Sequence, residues 1–461
     1  MMRHTWTWRL LRRLVRADLP ADRVTDAEVE AQRDRDYRWN FTVNLLDGAA
    51  FWFGTSFASA STILPLFISK LSDATWPLAA IAVLGQGGWY LPQLFTASSV
   101  ERLSRKKPVA VNLGFFAERL PMWLLIVAAI VARETAGLAL ALLILAYAWH
   151  SIGAGVIATA WQDLIARCFP VEKRGRFLGL TTFIGTGMGA AGAALSSWLL
   201  ATFPFPTSFV YTFTIAAVGV TLSWVFLALT REPVQPPEPL SKDGFNFWTD
   251  LRRIMGQDHN FRRFLVARLL IAFAGMGQGF LTVAALRRFG VADAVVGQYT
   301  GVMLLGQTAG TLILGFLADR YGHLLSLKIG AVSGTLAYLL AWLAPEAAWY
   351  YGVFALLGFA YGSMMVSGIL VVLEFSPPAR RPTYTGLANS IVGVAGFTAP
   401  LLGGVLARIG LGGGMGYRLL FALSAAAGLS GLVLLAVWVK EPRWEGNGHW
   451  KMDGRQSRDA G

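Results

Sequence analysis

The stretch Gly315–His323 reads GFLADRYGH. It stands between two long apolar runs, near 294–317 and 325–343, so its charges sit where the chain leaves one run and enters the next. Glycines let two helices approach closely at a membrane edge. An adjacent acid and base, Asp319 and Arg320, can pair with each other, with helix ends or with a neighbouring segment. A looser copy lies 218 residues earlier: ERLSRKK begins at Glu101 and aligns Glu101 with Asp319 and Arg102 with Arg320. Ala97 and Ser104 replace the two glycines there.

A second pair of segments repeats in the same order. PVEKRGRFLGL, from Pro170, answers PPARRPTYTGL, from Pro377, at an offset of 207, matching Arg174 with Arg381 and Gly179 with Gly386. Two loops repeating in order at similar offsets make the chain a duplication.

Between the loops the sequence is apolar. Of 461 residues 55% are hydrophobic and only 15% charged, against roughly 25% charged in soluble domains. A bilayer core needs roughly 20 apolar residues per helix. Twelve such stretches occur, near 42–68, 77–98, 109–131, 136–160, 177–201, 208–229, 264–286, 294–317, 325–343, 349–373, 386–408 and 416–438. The expected fold is all-α and integral to the membrane, twelve helices in two pseudo-symmetric six-helix bundles. Residues 42–230 make the first bundle and 263–440 the second, with a basic N-terminal region at 1–41, a linker at 231–262 and a tail at 441–461. The linker opens with Pro233, Pro236, Pro237 and Pro239 and is expected to end in a short amphipathic helix.

The net charge of +13 follows the spans. With the N-terminus inside and an even number of spans, about 32 of the 40 basic residues face the cytoplasm. The excess is therefore a topology signal, aided by anionic lipid, rather than a nucleic-acid footprint. Both termini are expected in the cytoplasm of a bacterial-type inner membrane. Residues 1–38 have no uninterrupted apolar core and are not read as a cleavable signal. Residues 5–16 suit a basic surface helix, and Thr25 with Glu28 forms a capping box opening a helix over about 26–38 that feeds the first span. Disorder is expected beyond about 445.

The loop at Gly315 is similar to the signature loop of the major facilitator superfamily of secondary transporters, with Gly315, Leu317, Asp319, Arg320 and Gly322 matching and His323 departing from the usual base. The resemblance implies two bundles rocking about a central site, lined by the first, fourth, seventh and tenth spans. It makes Gly315, Asp319, Arg320 and Gly322 gate residues, with Glu101, Arg102, Arg174, Arg381 and Glu374 as their counterparts or partners. Span five, GTGMGAAGAAL, resembles the glycine-rich motif of proton-coupled exporters but lacks its proline; generic small-residue packing explains it as well.

Ionisable side chains at membrane depth are costly and mark function by default. Asn44 and Asp47 share a face of span one with Phe51. Asp47 suits proton exchange or a cationic substrate, or else a permanent pair with Arg268 of span seven. Arg268 suits an anionic substrate or that same pair. Glu118 and Arg119 are adjacent in span three and, pointing about 100° apart on a helix, need not pair. Glu118 is a proton-relay candidate. His150, with Tyr147 one turn before it, titrates near neutrality or simply packs. Gln278 and Gln307 offer substrate hydrogen bonds, and Tyr361, Met364 and Met365 an adaptable apolar wall.

Other chemistry is absent. A single cysteine, Cys168, excludes an internal disulfide. No nucleotide loop, nucleophile elbow or metal motif is in a usable context. The expectation is a monomeric, non-enzymatic secondary transporter with no cofactor and no metal, driven by a gradient. Proton-coupled efflux of a small amphipathic compound comes first, symport of a metabolite anion second. A receptor or lipid-handling protein without solute flux is the alternative of another class.

Overall fold

A computed structural model describes residues 25–101, 103–233, 252, 254–368, 370–376, 381–409 and 415–442. The described residues are helical and contain no strand. Ten helices are long and apolar enough to cross a membrane: Val109–Val131, Ala136–Cys168, Lys173–Thr202, Thr207–Ala228, His259–Phe289, Asp293–Tyr321, His323–Leu343, Trp349–Phe375, Tyr384–Arg408 and Met415–Val437. Two more, Asp26–Ser56 and Trp76–Glu101, are equally long but more polar, carrying Asn40, Asn44 and Asp47 or Gln86 and Gln93. Together they make the twelve spans of the expected fold, counted below in chain order.

Thr25 opens span one as anticipated. Its hydroxyl accepts from the Glu28 amide at 3.3 Å while the Glu28 carboxylate accepts from the Thr25 amide at 2.8 Å. The helix then runs unbroken to Ser56. Residues 5–16, the linker between 234 and 251 and the tail beyond 442 lie outside the described residues.

The chain divides into two compact units. One holds spans one to six and also Gly279–Gly301; the other holds span seven up to Gln278 and the chain from Val302. In the first unit spans one and six cross backbone to backbone: a Cβ on Gly54 would stand 2.7 Å from the Val220 amide nitrogen, and one on Gly219 2.8 Å from the Gly54 Cα. Span five rests on span one with Gly185 facing Trp52 and Gly192 facing Phe57. Its small residues thus serve packing, the more general of the two readings of that stretch. In the second unit a Cβ on Gly431 of span twelve would stand 2.9 Å from the Ala267 carbonyl of span seven.

Each unit is fastened by the same device, which the loop repeats did not reveal. The Asn40 side chain donates to the Arg231 carbonyl at 2.9 Å and accepts from the Arg231 amide at 2.8 Å. In the second unit the Asn260 side chain donates to the Lys440 carbonyl and accepts from the Lys440 amide, both at 3.0 Å. The residue after each clasped base is a glutamate followed by proline, Glu232–Pro233 and Glu441–Pro442. Glu232 accepts from the Lys106 and Lys107 amides at 2.6 and 2.9 Å, at the start of span three. Glu441 presses on Gly322 at the start of span nine, the equivalent place. Arg231 and Glu232 therefore belong to the bundle rather than to the linker.

Around the first clasp more charge gathers. Arg231 pairs with buried Asp36 at 3.0 Å, and Lys106 pairs with Asp163 at 3.1 Å. Arg167 donates to the Ser104 carbonyl at 2.8 Å. Burial pushes the Glu232 carboxyl up from its ordinary value, against the two amide donors and Arg167.

At the other end of the first unit the helices are broken. Span one stops at Ser56 and resumes as Ile63–Leu71; span seven passes through a tight turn, Gly275–Phe280, and resumes as Leu281–Phe289. The resumed pieces meet within the first unit. The Thr282 hydroxyl donates to the Ser61 carbonyl at 2.8 Å, the Thr62 and Thr300 hydroxyls lie 2.6 Å apart, Lys70 pairs with Asp293 at 2.7 Å and Arg287 with Asp73 at 3.1 Å.

Candidate functional site

The first unit buries charged side chains of spans one and three, with half-buried His150 of span four against the Glu118 carbonyl. Asp47 is 7% exposed, and the Ser223 hydroxyl of span six donates to its Oδ1 at 2.6 Å. Glu118 and Arg119 are both buried and form an ion pair with each other. The expectation that these neighbours need not pair is corrected by the local backbone. Pro121 has no N–H for the ordinary helical bond, and Phe115–Arg119 forms a π-helical turn in which the Leu120 amide bonds to the Phe115 carbonyl.

The carbonyl of Glu118, displaced from the regular ladder, is met by His150 Nδ1 at 2.7 Å. A carbonyl only accepts, so Nδ1 carries a proton there. Span four reaches this turn because Gly153 lies directly against the Ala117 backbone, where no side chain fits. Arg119 Nε is buried without a hydrogen-bond acceptor. Asp47 thus finds its hydrogen-bond donor inside its own unit.

Asn44, one turn before Asp47, is buried and donates to the Asn40 carbonyl at 2.8 Å and to Thr230 Oγ1 at 3.1 Å. It joins the clasp to the charge group. Its Oδ1 is buried without a partner.

The second unit carries less charge at depth. Arg268 is 7% exposed and donates from Nη1 to the Gly368 carbonyl at 2.8 Å, with Phe264 5.8 Å from its guanidinium. Gly368 keeps a helical conformation, its own amide bonded to the Met364 carbonyl. Gln278 lies in the turn that interrupts span seven. Gln307 is buried in span eight, whose backbone span ten touches closely: a Cβ on Gly362 would stand 2.5 Å from the Thr311 amide nitrogen. Met365 is exposed, Tyr361 and Met364 half-buried.

Among the gate residues, Asp319 and Arg320 are exposed, with Arg320 over the Tyr321 ring at 5.3 Å. Gly322 has φ +98°, a left-handed conformation that glycine adopts without steric cost. Gly315 meets only ordinary van der Waals neighbours at Val366. His323, which departs from the family pattern, reaches the Ser367 hydroxyl of span ten at 3.1 Å. Arg174 donates to the Phe169 carbonyl at 3.0 Å and so caps span four. Glu374 is half-buried in the last turn of span ten. The side chains of Glu101 and Arg381, and Arg102 altogether, lie outside the described residues. Among the described residues no group of acids, histidines and cysteines could hold a metal.

Sequence reasoning missed Ser223, an ordinary hydroxyl in an apolar span, and the clasp. The latter had a signal in the Arg-Glu-Pro and Lys-Glu-Pro that close the two bundles.

Twelve helices, a duplicated six-span plan and charges buried at depth define a multi-pass membrane protein. Residues 269–454 match the model of the Major Facilitator Superfamily. A curated relative, an uncharacterized MFS-type transporter YfkF of Bacillus subtilis (strain 168), is 29% identical over 157 residues, 32% of this chain and 40% of the relative. The chain thus matches less than half of that relative's length. Solved structures share the fold over most of both chains. A nucleoside transporter NupG has a TM-score of 0.61 at 14% identity, covering 88% of this chain and 100% of its own. A POT family transporter in complex with 5-aminolevulinic acid has 0.62 at 14%, covering 86% and 96%. A bacterial homologue of the iron transporter ferroportin, inward-facing, has 0.61 at 14%, covering 87% and 98%. The chain is a multi-pass membrane protein, similar over residues 269–454 to transporters of the major facilitator type.

Proposed function

We propose that the protein is a secondary transporter working by alternating access, and that it exports a small amphipathic compound in exchange for protons. The observation that carries the proton is the buried group Asp47, Glu118 and Arg119, two acids for one base inside a membrane bundle. The interrupted spans one and seven support a moving site, since helix breaks at membrane depth occur where backbone lines a cavity or binds a ligand. In the cycle the contacts of Gly279–Gly301 with the first unit, Lys70–Asp293 and Arg287–Asp73 among them, are those that open. The signature loop with Asp319 and Arg320 latches the opposite end. Tyr361, Met364 and Met365 favour an amphipathic substrate, a deformable apolar wall being the natural match for it.

In this reading the protein acts as a monomer in a bacterial-type inner membrane, both termini cytoplasmic, with no enzymatic step and no cofactor. A second reading, uptake of a metabolite anion, rests on the buried guanidinium of Arg268 in span seven. Flux in proteoliposomes with and without a pH gradient decides between them. Export predicts that an inward proton gradient accelerates efflux and that Asp47→Asn abolishes this acceleration while counterflow persists. Counterflow indifferent to pH and to Asp47→Asn would sink proton coupling. Absence of any flux across a substrate panel would favour a receptor or lipid-handling role.

A further inference from the structure

In both clasps the asparagine grips only the backbone of a basic residue, a contact that any side chain would permit. The charge itself is left for another use. In the first unit Arg231 keeps 55% of its side chain exposed while Nη1 donates to Asp36 Oδ1 at 3.0 Å. Arg35 approaches the other oxygen of the same carboxylate at 3.8 Å and is exposed. Two guanidiniums thus converge on one buried acid, and exposed Arg38 adds a third about one turn along. Asp34 is exposed as well, but lies about 6 Å before Arg38 along the helix, farther from the apolar part of the span. Beside these charges the exposed Trp39 ring stands 4.8 Å from the Arg231 guanidinium, and its indole donates to the Leu229 carbonyl at 2.9 Å. A tryptophan with a bonded N–H and an open ring face suits the headgroup level of a bilayer. From Leu229 an exposed stripe runs back along span six through Val225, Leu222 and Val218. Steps of four, three and four residues keep these side chains on one helix face, and an exposed apolar face of a membrane span is one turned to acyl chains.

We propose that the joint of spans one and six is a seat for an anionic phospholipid, its phosphodiester held by Arg231, Arg35 and Arg38 and an acyl chain laid along the span-six stripe. A guanidinium fork matches phosphate oxygens in pairs. Asp36 fixes two of the forks without neutralising the patch, and a bound phosphate relieves the repulsion between the guanidiniums that Asp36 draws together. The stripe that ends at the patch selects a lipid over a free phosphate. The second unit holds a looser counterpart. There Arg263 donates to the Trp438 carbonyl at 3.4 Å, two residues before the clasped Lys440, as Trp39 does to Leu229, two before Arg231. Exposed Val437, Val433 and Leu429 lead away from it. No carboxylate stands in the place of Asp36, since the residue four before Asn260 is Gly256. The seat is therefore assigned to the first unit. In the orientation proposed above the cytoplasmic leaflet supplies the lipid, and the binding is independent of substrate, direction and coupling.

Native mass spectrometry of the full-length protein, delipidated in detergent and titrated with phosphatidylglycerol or phosphatidylcholine, reads the seat. One phosphatidylglycerol is expected to bind ahead of all others and ahead of phosphatidylcholine. Arg35→Gln and Arg38→Gln should each weaken it about fivefold, the worth of one basic residue at an anionic surface, and Arg231→Gln at least as much. Arg231→Gln also takes a partner from buried Asp36, so Arg38→Gln, at an exposed side chain, keeps the test if that variant fails to fold. Leu222→Gln, on the exposed stripe, should weaken binding too, and excess inorganic phosphate should leave the lipid in place. Arg320→Gln makes the same change of charge at an exposed site in the second unit and should leave the affinity unchanged. Three results would each overturn the proposal: equal binding of the two lipids, equal losses in Arg38→Gln and Arg320→Gln, or displacement of the lipid by inorganic phosphate.

Discussion

The two halves of this chain share their joinery and differ in their chemistry. In both, an asparagine near the start of the first span grips the backbone of a basic residue just beyond the last, and a glutamate follows to meet the start of the third span. In both, the leading span is interrupted. Yet the first half buries Asp47, Glu118 and Arg119, with half-buried His150 on the Glu118 carbonyl, while the second places Arg268 on a backbone carbonyl. Duplication keeps what holds a bundle together, because each bundle needs it independently. Buried charge is expensive wherever it occurs, and the two halves carry it on different partners.

The comparison breaks first where backbones touch. Gly54→Val puts side-chain atoms where the Val220 amide stands 2.7 Å from the Cβ position, and neither partner is a flexible side chain that could yield. Overpacking costs about 1–3 kcal/mol or more, added to the lost crossing. The expected outcome is a protein that fails to reach the membrane as a folded monomer, read by detergent size-exclusion chromatography. Gly431→Val should do the same to the second half, since both crossings are structural.

The next contrast is chemical. Arg119→Leu leaves two buried acids without their base and should cost about 3–5 kcal/mol, the range for breaking a buried ion pair. Arg268→Leu removes a donor from a backbone carbonyl and should cost about 1–3 kcal/mol. Thermal unfolding in detergent ranks them, and equal losses would erase the asymmetry between the halves. Asn40→Ala and Asn260→Ala each remove two hydrogen bonds. Asn40 is fully buried and Asn260 only partly so, which predicts about 2 kcal/mol for the first and about 1 kcal/mol for the second. At the small end, Arg320→Ala removes an exposed side chain and should change stability by less than about 0.5 kcal/mol. If the signature loop is a gate, the same substitution still alters transport rate.

Much of this was legible in the sequence, for identifiable reasons. The twelve spans follow from the length a bilayer demands, and the capping box at Thr25 follows from a hydroxyl and a carboxylate at the spacing one helical turn requires. The importance of Asp47, Glu118, Arg119 and His150 was legible too, because charge in an apolar run is conspicuous. Their partners were not. An ordinary helix turns Glu118 and Arg119 about 100° apart, and their pairing within the π-helical turn beside Pro121 is visible only in the structure. Ser223 lies 176 residues from Asp47, and nothing in an apolar span advertises which of its hydroxyls will meet an acid. The helix breaks at 57–62 and within Gly275–Phe280 lie inside stretches long enough to read as single spans, and only Ser59, Ser61 and Thr62 and the glycines at 275, 277 and 279 hinted at them.

By itself the sequence determined that this chain lives in a membrane, how many times it crosses and that it is made of two related halves. These properties depend on local hydrophobicity and on repetition along the chain. Tertiary structure alone decided which charges answer one another. Inside a bilayer that choice turns on distances of a few ångströms between side chains far apart in sequence, where there is no water to make an unpaired charge cheap.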